Sequence, residues 1–272
     1  MRKAFSIRAI SFSGPLAWIL LAFLVLPMLI IPPASLTDQS YLSLPKEHLS
    51  LAHYARLFHS PVWIQAFFQS LVIGLFSASL AVLLGVSCTV GCWRMGNAVS
   101  IVIRALLILP MIVPSIVYAL GIARLWVQAN LFDTMPGVIL AHTVTSMPYV
   151  VMTTSAALAG FDPALERAAR SLGASSMQSL FRVVLPNITA GIVPGAIFAF
   201  MHSWDELVVV LFITSRQIVT VPRMIYDGIN EELDPIIAAV ATALILISIL
   251  LLCINFILTG TSTRRGESVP HS

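Results

Sequence analysis

Six stretches of this 272-residue chain run for about twenty residues or more without an aspartate, glutamate, lysine or arginine: 9–37, 57–93, 105–123, 134–161, 183–204 and 235–263. A helix needs about 20 mostly apolar residues to cross the hydrocarbon core of a bilayer. Lipid offers no hydrogen-bond partner, so backbone donors and acceptors there must be satisfied within a helix or a closed barrel. The runs are far too long for barrel strands of about 10 residues. With 58% hydrophobic and only 10% charged residues, and a mean hydropathy of +0.94, an ordinary water-soluble domain is excluded. The expected fold is therefore all-α: a polytopic membrane protein with about six transmembrane helices over 14–34, 66–92, 102–127, 137–160, 188–214 and 236–259, in one domain covering 1–272. The third and fifth spans are the least clean, because Arg124 lies in one and Asp205 with Glu206 in the other.

Arg2, Lys3 and Arg8 precede the apolar run 16–31, an arrangement shared with cleaved signal peptides. The run is long, its polar flank holds Pro32-Pro33, and no small-x-small cleavage site follows, so an uncleaved anchor is expected. Six spans put both termini on one side. That side carries Arg2, Lys3, Arg8, Arg94, Arg104, Arg167, Arg170, Arg182, Arg264 and Arg265, against Lys46, Arg56, Arg124, Arg216 and Arg223 on the other. Positive charge marks the cytoplasmic face, so both termini are expected in the cytoplasm. The net charge of +3 follows from this topology and implies no nucleic-acid partner. Cys88, Cys92 and Cys253 all fall in apolar helices and read as small packed hydrophobes rather than a disulfide or a metal site.

Between the spans, the first outer loop is expected to form a short amphipathic helix around 49–54, with Trp63 at headgroup depth. The acidic residues Asp227, Glu231, Glu232 and Asp234 either meet a soluble partner or form a solvated turn. The cytoplasmic segment 161–187 is the most structured by its own signals. Asp162-Pro163 is a helix start, Leu165, Ala168, Ala169 and Leu172 recur at helical spacing, and Gly173 ends the helix. Ser175 and Gln178 have the spacing of a capping box, Leu180, Phe181, Val184 and Leu185 give the second helix an apolar side, and Pro186 stops it. Two short helices around a glycine either anchor a loop at the interface or form a rigid knob for a cytoplasmic partner.

The run Glu166-Arg167-Ala168-Ala169-Arg170-Ser171-Leu172-Gly173-Ala174, followed by Phe181-Arg182-Val183-Val184-Leu185-Pro186, closely resembles the EAA loop of ABC importer permeases. Gly173, Val183, Leu185 and Pro186 keep the family's spacing, while Arg167 stands where the family usually has glutamate and Glu166 lies one residue earlier. Ala141-His142-Thr143, Met147-Pro148-Tyr149 and Ser203-Trp204-Asp205-Glu206 are similar to the spermidine/putrescine branch, although relatives carrying other small solutes look alike here. The resemblance implies a type I ABC importer permease fold in a bacterial inner membrane. It implies a second permease subunit, commonly a paralogue in that branch, a periplasmic substrate-binding protein, and an ATPase dimer on the cytoplasmic side. On this resemblance Asp162, Glu166, Arg167, Ala168, Ala169, Gly173, Phe181, Leu185 and Pro186 form the ATPase-coupling loop.

The chain itself has two lysines, Lys3 and Lys46, and neither lies in a phosphate-cradling G-x-x-x-x-G-K-[ST] loop. Nucleotide hydrolysis is therefore expected on a partner that holds the ATP and magnesium, with no cofactor, metal or catalytic residue on this chain. Asp205 and Glu206 are the charged pair within a span, where insertion of such a residue costs about 2.5–3.5 kcal/mol. Adjacent helical residues point about 100° apart, which argues against a paired-carboxylate active site. Two readings stay open: Asp205 or Glu206, with His202 and the aromatic wall of Trp204, lines a pathway for a small cationic solute, or the carboxylates brace neighbouring helices. His142 reads as a hydrogen-bond partner between helices, and Pro110, Pro114 and Pro148 as bends in their spans. The rival from another class is a proton-coupled secondary transporter using His202 with Asp205 or Glu206. It predicts an inverted repeat, and no convincing internal repeat is visible.

Overall fold

A computed structural model describes residues 10–46, 48–231, 234–247 and 249. All regular structure among them is helical. In chain order the helices are α1 (Ile10–Leu29), α2 (Ile31–Ser35), α3 (Ala52–His59), α4 (Pro61–Met95), α5 (Ala98–Ile112), α6 (Ser115–Gln128), α7 (Met135–Ala159), α8 (Pro163–Ser171) and α9 (Ser176–Ser179). A π turn (Leu180–Val184) leads into α10 (Leu185–Asn187), followed by α11 (Thr189–Asp205), α12 (Val208–Ile213), α13 (Val221–Glu231) and α14 (Ile236–Ile247). Among the described residues three helical segments are long and apolar enough to cross a membrane alone: Leu16–Ser35, Pro61–Met95 and Met135–Ala159. Two bent pairs raise the number to five if each is one span. Much of the expected sixth span, 236–259, lies outside the described residues, as do Arg2, Lys3, Arg8, Glu232, Cys253, Arg264 and Arg265.

The chain divides into two compact units, one of residues 1–61 with 225–272 and one of residues 62–224. In the first, Pro32 and Pro33 open α2, and Ser35 Oγ lies 2.7 Å from the Pro32 carbonyl and 2.6 Å from the Tyr54 hydroxyl. The amphipathic helix expected from residue 49 starts at Ala52, because Ser50 Oγ accepts the Ala52 N–H and turns the chain before it. Its Arg56 pairs with Asp234 at 2.8 Å, so one member of the outer acidic group is paired within this unit.

The second unit holds two apolar cores that share α4 and α7. One gathers Ile73, Ala119, Ile122, Val138, Val209, Val210 and Ile213 from α4, α6, α7 and α12. The other packs Ala81, Val86 and Val90 of α4 with Val150, Leu158, Phe161, Val184, Ile188 and Ala199. The helix α4 has 35 residues and is therefore roughly 50 Å long, well beyond the hydrocarbon thickness of about 30 Å. The excess carries Trp93 and Arg94 out to the loop that follows α7.

The stretch 102–127 is not one helix. The helices α5 and α6 meet at 103°, because Pro114 has no N–H to donate and its ring pushes Val113 into an extended conformation, φ −72° and ψ 127°. Pro110 and Pro148 lie inside α5 and α7 without ending them. Pro186 does not stop the second loop helix as expected either. The π turn immediately upstream accommodates the missing donor, and the chain breaks two residues later, at Ile188, with a bend of 73°.

Candidate functional site: the loop 161–187 and the end of α11

The loop helices form where their caps put them. Asp162 Oδ1 accepts the Ala164 N–H at 2.8 Å and Pro163 fills the first position of α8. Gly173 follows with φ +90°, a left-handed conformation that a side chain resists. Ser175 and Gln178 then close a reciprocal capping box, with Gln178 N donating to Ser175 Oγ at 3.2 Å and Ser175 N to Gln178 Oε1 at 2.9 Å.

The burial of α8 inverts the usual arrangement. Its buried residue is Glu166, while Leu165 is exposed and Leu172, beside the turn, is 90% exposed. Glu166 Oε1 accepts from Arg94 Nη2 at 2.5 Å, and the same guanidinium reaches Ser176 Oγ at 3.2 Å and the Ser176 carbonyl at 3.3 Å. Trp93 packs edge-on against Phe161 with ring centroids 5.7 Å apart, which seats the start of the loop on the end of α4. Beyond Gly173, Phe181 is exposed, Val184 and Ile188 enter the core, and Leu185 and Pro186 lead towards α11. Ala168, Arg167 and Arg170 are exposed and Ala169 is half-buried.

The helix α11 runs from this loop to the charged pair. Along the way Gly191 and Gly195 lie against α7 closely enough that a Cβ at 191 would fall 2.5 Å from the Thr153 carbonyl oxygen, and one at 195 would overlap Thr153 Oγ1. At the far end His142 Nδ1 and Ser203 Oγ share a buried hydrogen bond of 2.9 Å between α7 and α11. His202 stacks on Tyr149 at 5.0 Å, and its Nε2 lies 3.7 Å from Glu206 Oε2. The adjacent carboxylates do not sit on one helix. Asp205 ends α11, and Glu206, with ψ 103°, starts the link to α12, where its Oε1 accepts the Val209 N–H at 3.1 Å. Glu206 is buried in this capping role, whereas Asp205 is exposed and Trp204, half-buried, packs near Phe200 at 5.8 Å.

On the side of the unit remote from the loop, Asp133 accepts N–H groups from Arg216, Gln217 and Ile218, and Gln69 and Ser70 of α4 hold Val219 and Val221. Burial alone would raise the Asp133 carboxyl, but the backbone N–H groups of residues 215–218 outweigh it and hold the carboxyl below its ordinary range.

Sequence reasoning did not single out Arg94, Asp133, Gly191 or Gly195. A signal for the glycines was present, since Gly191-Ile192-Val193-Pro194-Gly195 has the G-x-x-x-G spacing of close helix pairs in membranes. Arg94 had none, being 72 residues from Glu166.

Residues 81–265 match the family described as the binding-protein-dependent transport system inner membrane component. The chain is 28% identical over 242 residues to the spermidine/putrescine transport system permease protein PotC of Haemophilus influenzae, covering 89% of this chain and 94% of that one. It is likewise 28% identical over 203 residues to the putrescine transport system permease protein PotI of Escherichia coli, 71% of each chain. Its fold is similar, at a TM-score of 0.66 and 18% identity over 96% of both chains, to a solved bacterial alginate ABC transporter in complex with an alginate pentasaccharide-bound periplasmic protein. With the family covering most of its length, this chain belongs to the inner-membrane components of binding-protein-dependent transport systems, as a permease subunit of an ABC importer.

Proposed function

We propose that this permease, together with a second permease subunit that is a paralogue of it, forms the pathway for a small cationic solute of the polyamine or amino-acid-derived class. A periplasmic binding protein delivers the solute, and an ATPase dimer that holds the ATP and magnesium docks on the loop 161–187. Both termini then lie in the cytoplasm, following the excess of arginine on that face.

The observation that carries this reading is the continuity of the loop with α11. The helix–glycine–helix turn presents Leu172 and Phe181 outward, is tied to α4 by Arg94, and leads through Pro186 and the bend at Ile188 into the helix that ends at Asp205. Closure of the ATPase pair would move the loop as one piece and shift the opposite end of α11. There Asp205 supplies the negative charge for a cation and Trp204 an aromatic wall, while His202 and Glu206 hold the break beside it. The names of two relatives, both polyamine permeases, support the same solute class.

The test is to purify the chain with the ATPase encoded beside it and to measure uptake of labelled spermidine and putrescine in cells with and without that ATPase. Co-purification and ATPase-dependent uptake are expected. Uptake that persists undiminished without the ATPase would instead favour the proton-coupled alternative built on His202 with Asp205 or Glu206.

A further inference from the structure

The loop 161–187 carries Arg167, Arg170 and Arg182 against Asp162 and Glu166, so its outer face keeps an excess of positive charge even with Asp162 exposed. Glu166 is buried and neutralised by Arg94, and Asp162 is engaged at the start of α8. Arg167 and Arg170, one turn apart, are both exposed and line a cleft of about 390 Å³ together with Trp93, Arg94 and Glu166. Between and beside them Ala168 and Gly173 leave low relief, and Leu172 projects from the turn. The exposed surface is therefore cationic around an apolar tip.

Resting on the coupling role proposed above, we infer that the groove of the ATPase subunit that receives this loop has an apolar floor for Leu172 and an acidic rim that meets Arg167 and Arg170. Arg167 and Arg170 are both exposed and of one sign, so the receiving surface must be matched to this permease in sign as well as in shape. A fixed turn held by a capping box and the Arg94 contacts suits a socket in a protein. Anionic lipid would satisfy the arginines but has no need of a fixed relief.

The experiment uses the full-length permease complex in detergent, with recovery of the ATPase measured between about 50 and 500 mM salt. Recovery is expected to fall as salt rises. Arg167→Glu with Arg170→Glu should lower recovery at low salt by at least about tenfold, Arg167→Lys with Arg170→Lys should retain most of it, and Leu172→Ala should weaken binding without changing its salt dependence. If the reversed pair does not accumulate in the membrane, Arg167→Gln with Arg170→Gln is expected to give an intermediate loss. Wild-type recovery and salt dependence in the charge-altered variants would overturn the inference while leaving the coupling role standing. So would a variant that keeps the ATPase but loses affinity for phosphatidylglycerol vesicles. A wild-type permease that recovers no ATPase at any salt would defeat the coupling role itself.

Discussion

Arg94, next to last in α4, donates to Glu166 of α8 at 2.5 Å, and through this pair the longest helix among the described residues is fastened to the loop 161–187. The side chains are 28% and 11% exposed, so the pair is screened less than a surface ion pair. On the coupling role proposed for this loop, a force entering at α8 would be shared between α4 and α11 instead of passing along the chain alone.

Arg94→Gln should leave Glu166 mostly buried without its counter-charge and destabilise the loop by about 1–2 kcal/mol. The expected result is ATP hydrolysis that continues while solute uptake per ATP falls several-fold. The exchange Arg94→Glu with Glu166→Arg should recover part of the loss. An unchanged ratio of uptake to hydrolysis in Arg94→Gln would show that α4 takes no share of the force.

Asp205 and Glu206 should separate in their effects although they are neighbours. Glu206→Ala removes the cap from α12 and should cost about 1–2 kcal/mol of stability, whereas Glu206→Gln keeps an acceptor for the Val209 N–H and should cost less. Asp205→Asn, at an exposed position, should change stability by less than about 0.5 kcal/mol. It should nevertheless raise KM for a cationic solute about tenfold if the carboxylate lines the pathway. Thermal unfolding in detergent and uptake kinetics on the same variants decide between these roles.

The loop was legible in the sequence because its signals are local: Asp162, Gly173, Ser175 and Gln178 each act within a few residues of where they stand. The apolar runs likewise announced helices. What sequence reading could not supply was direction and distance. Leu165 and Leu172 at helical spacing marked a helix without saying what its apolar face meets, and with Glu166 held by Arg94 from 72 residues away that face is turned outward. The uncharged run 105–123 concealed the 103° break at Pro114, since hydropathy records burial in lipid and not the loss of one backbone donor.

The close approach of α11 to α7 predicts a sharp difference between glycines. A Cβ at Gly191 would meet the Thr153 carbonyl at 2.5 Å and Ala157 Cβ at 2.6 Å, and a backbone oxygen cannot swing aside. Gly191→Ala and Gly195→Ala should therefore each destabilise the protein by about 1–3 kcal/mol. Gly91, which has no atom within 4 Å of a would-be Cβ, is the control: Gly91→Ala should be neutral or stabilising by up to about 1 kcal/mol. Equal unfolding temperatures for all three variants would rule out tight packing at the first two sites.

Asp133 gives the protein a dependence on acid. Its carboxyl is held below the ordinary range because four backbone N–H groups outweigh the effect of burial, so the folded state binds a proton less readily than the unfolded state. The stabilisation is then fully present above about pH 4 and is lost as pH falls through the depressed folded value. Asn is the informative replacement, because it tolerates the positive φ of 54° at this position and keeps one acceptor while removing the charge. Asp133→Asn should unfold at a lower temperature than the wild type at pH 6. The gap should narrow as the pH falls below about 4 and close once the wild-type carboxyl is protonated in the folded state as well. Parallel pH profiles for the two proteins in detergent would mean that the carboxylate charge adds nothing to its hold on residues 215–218.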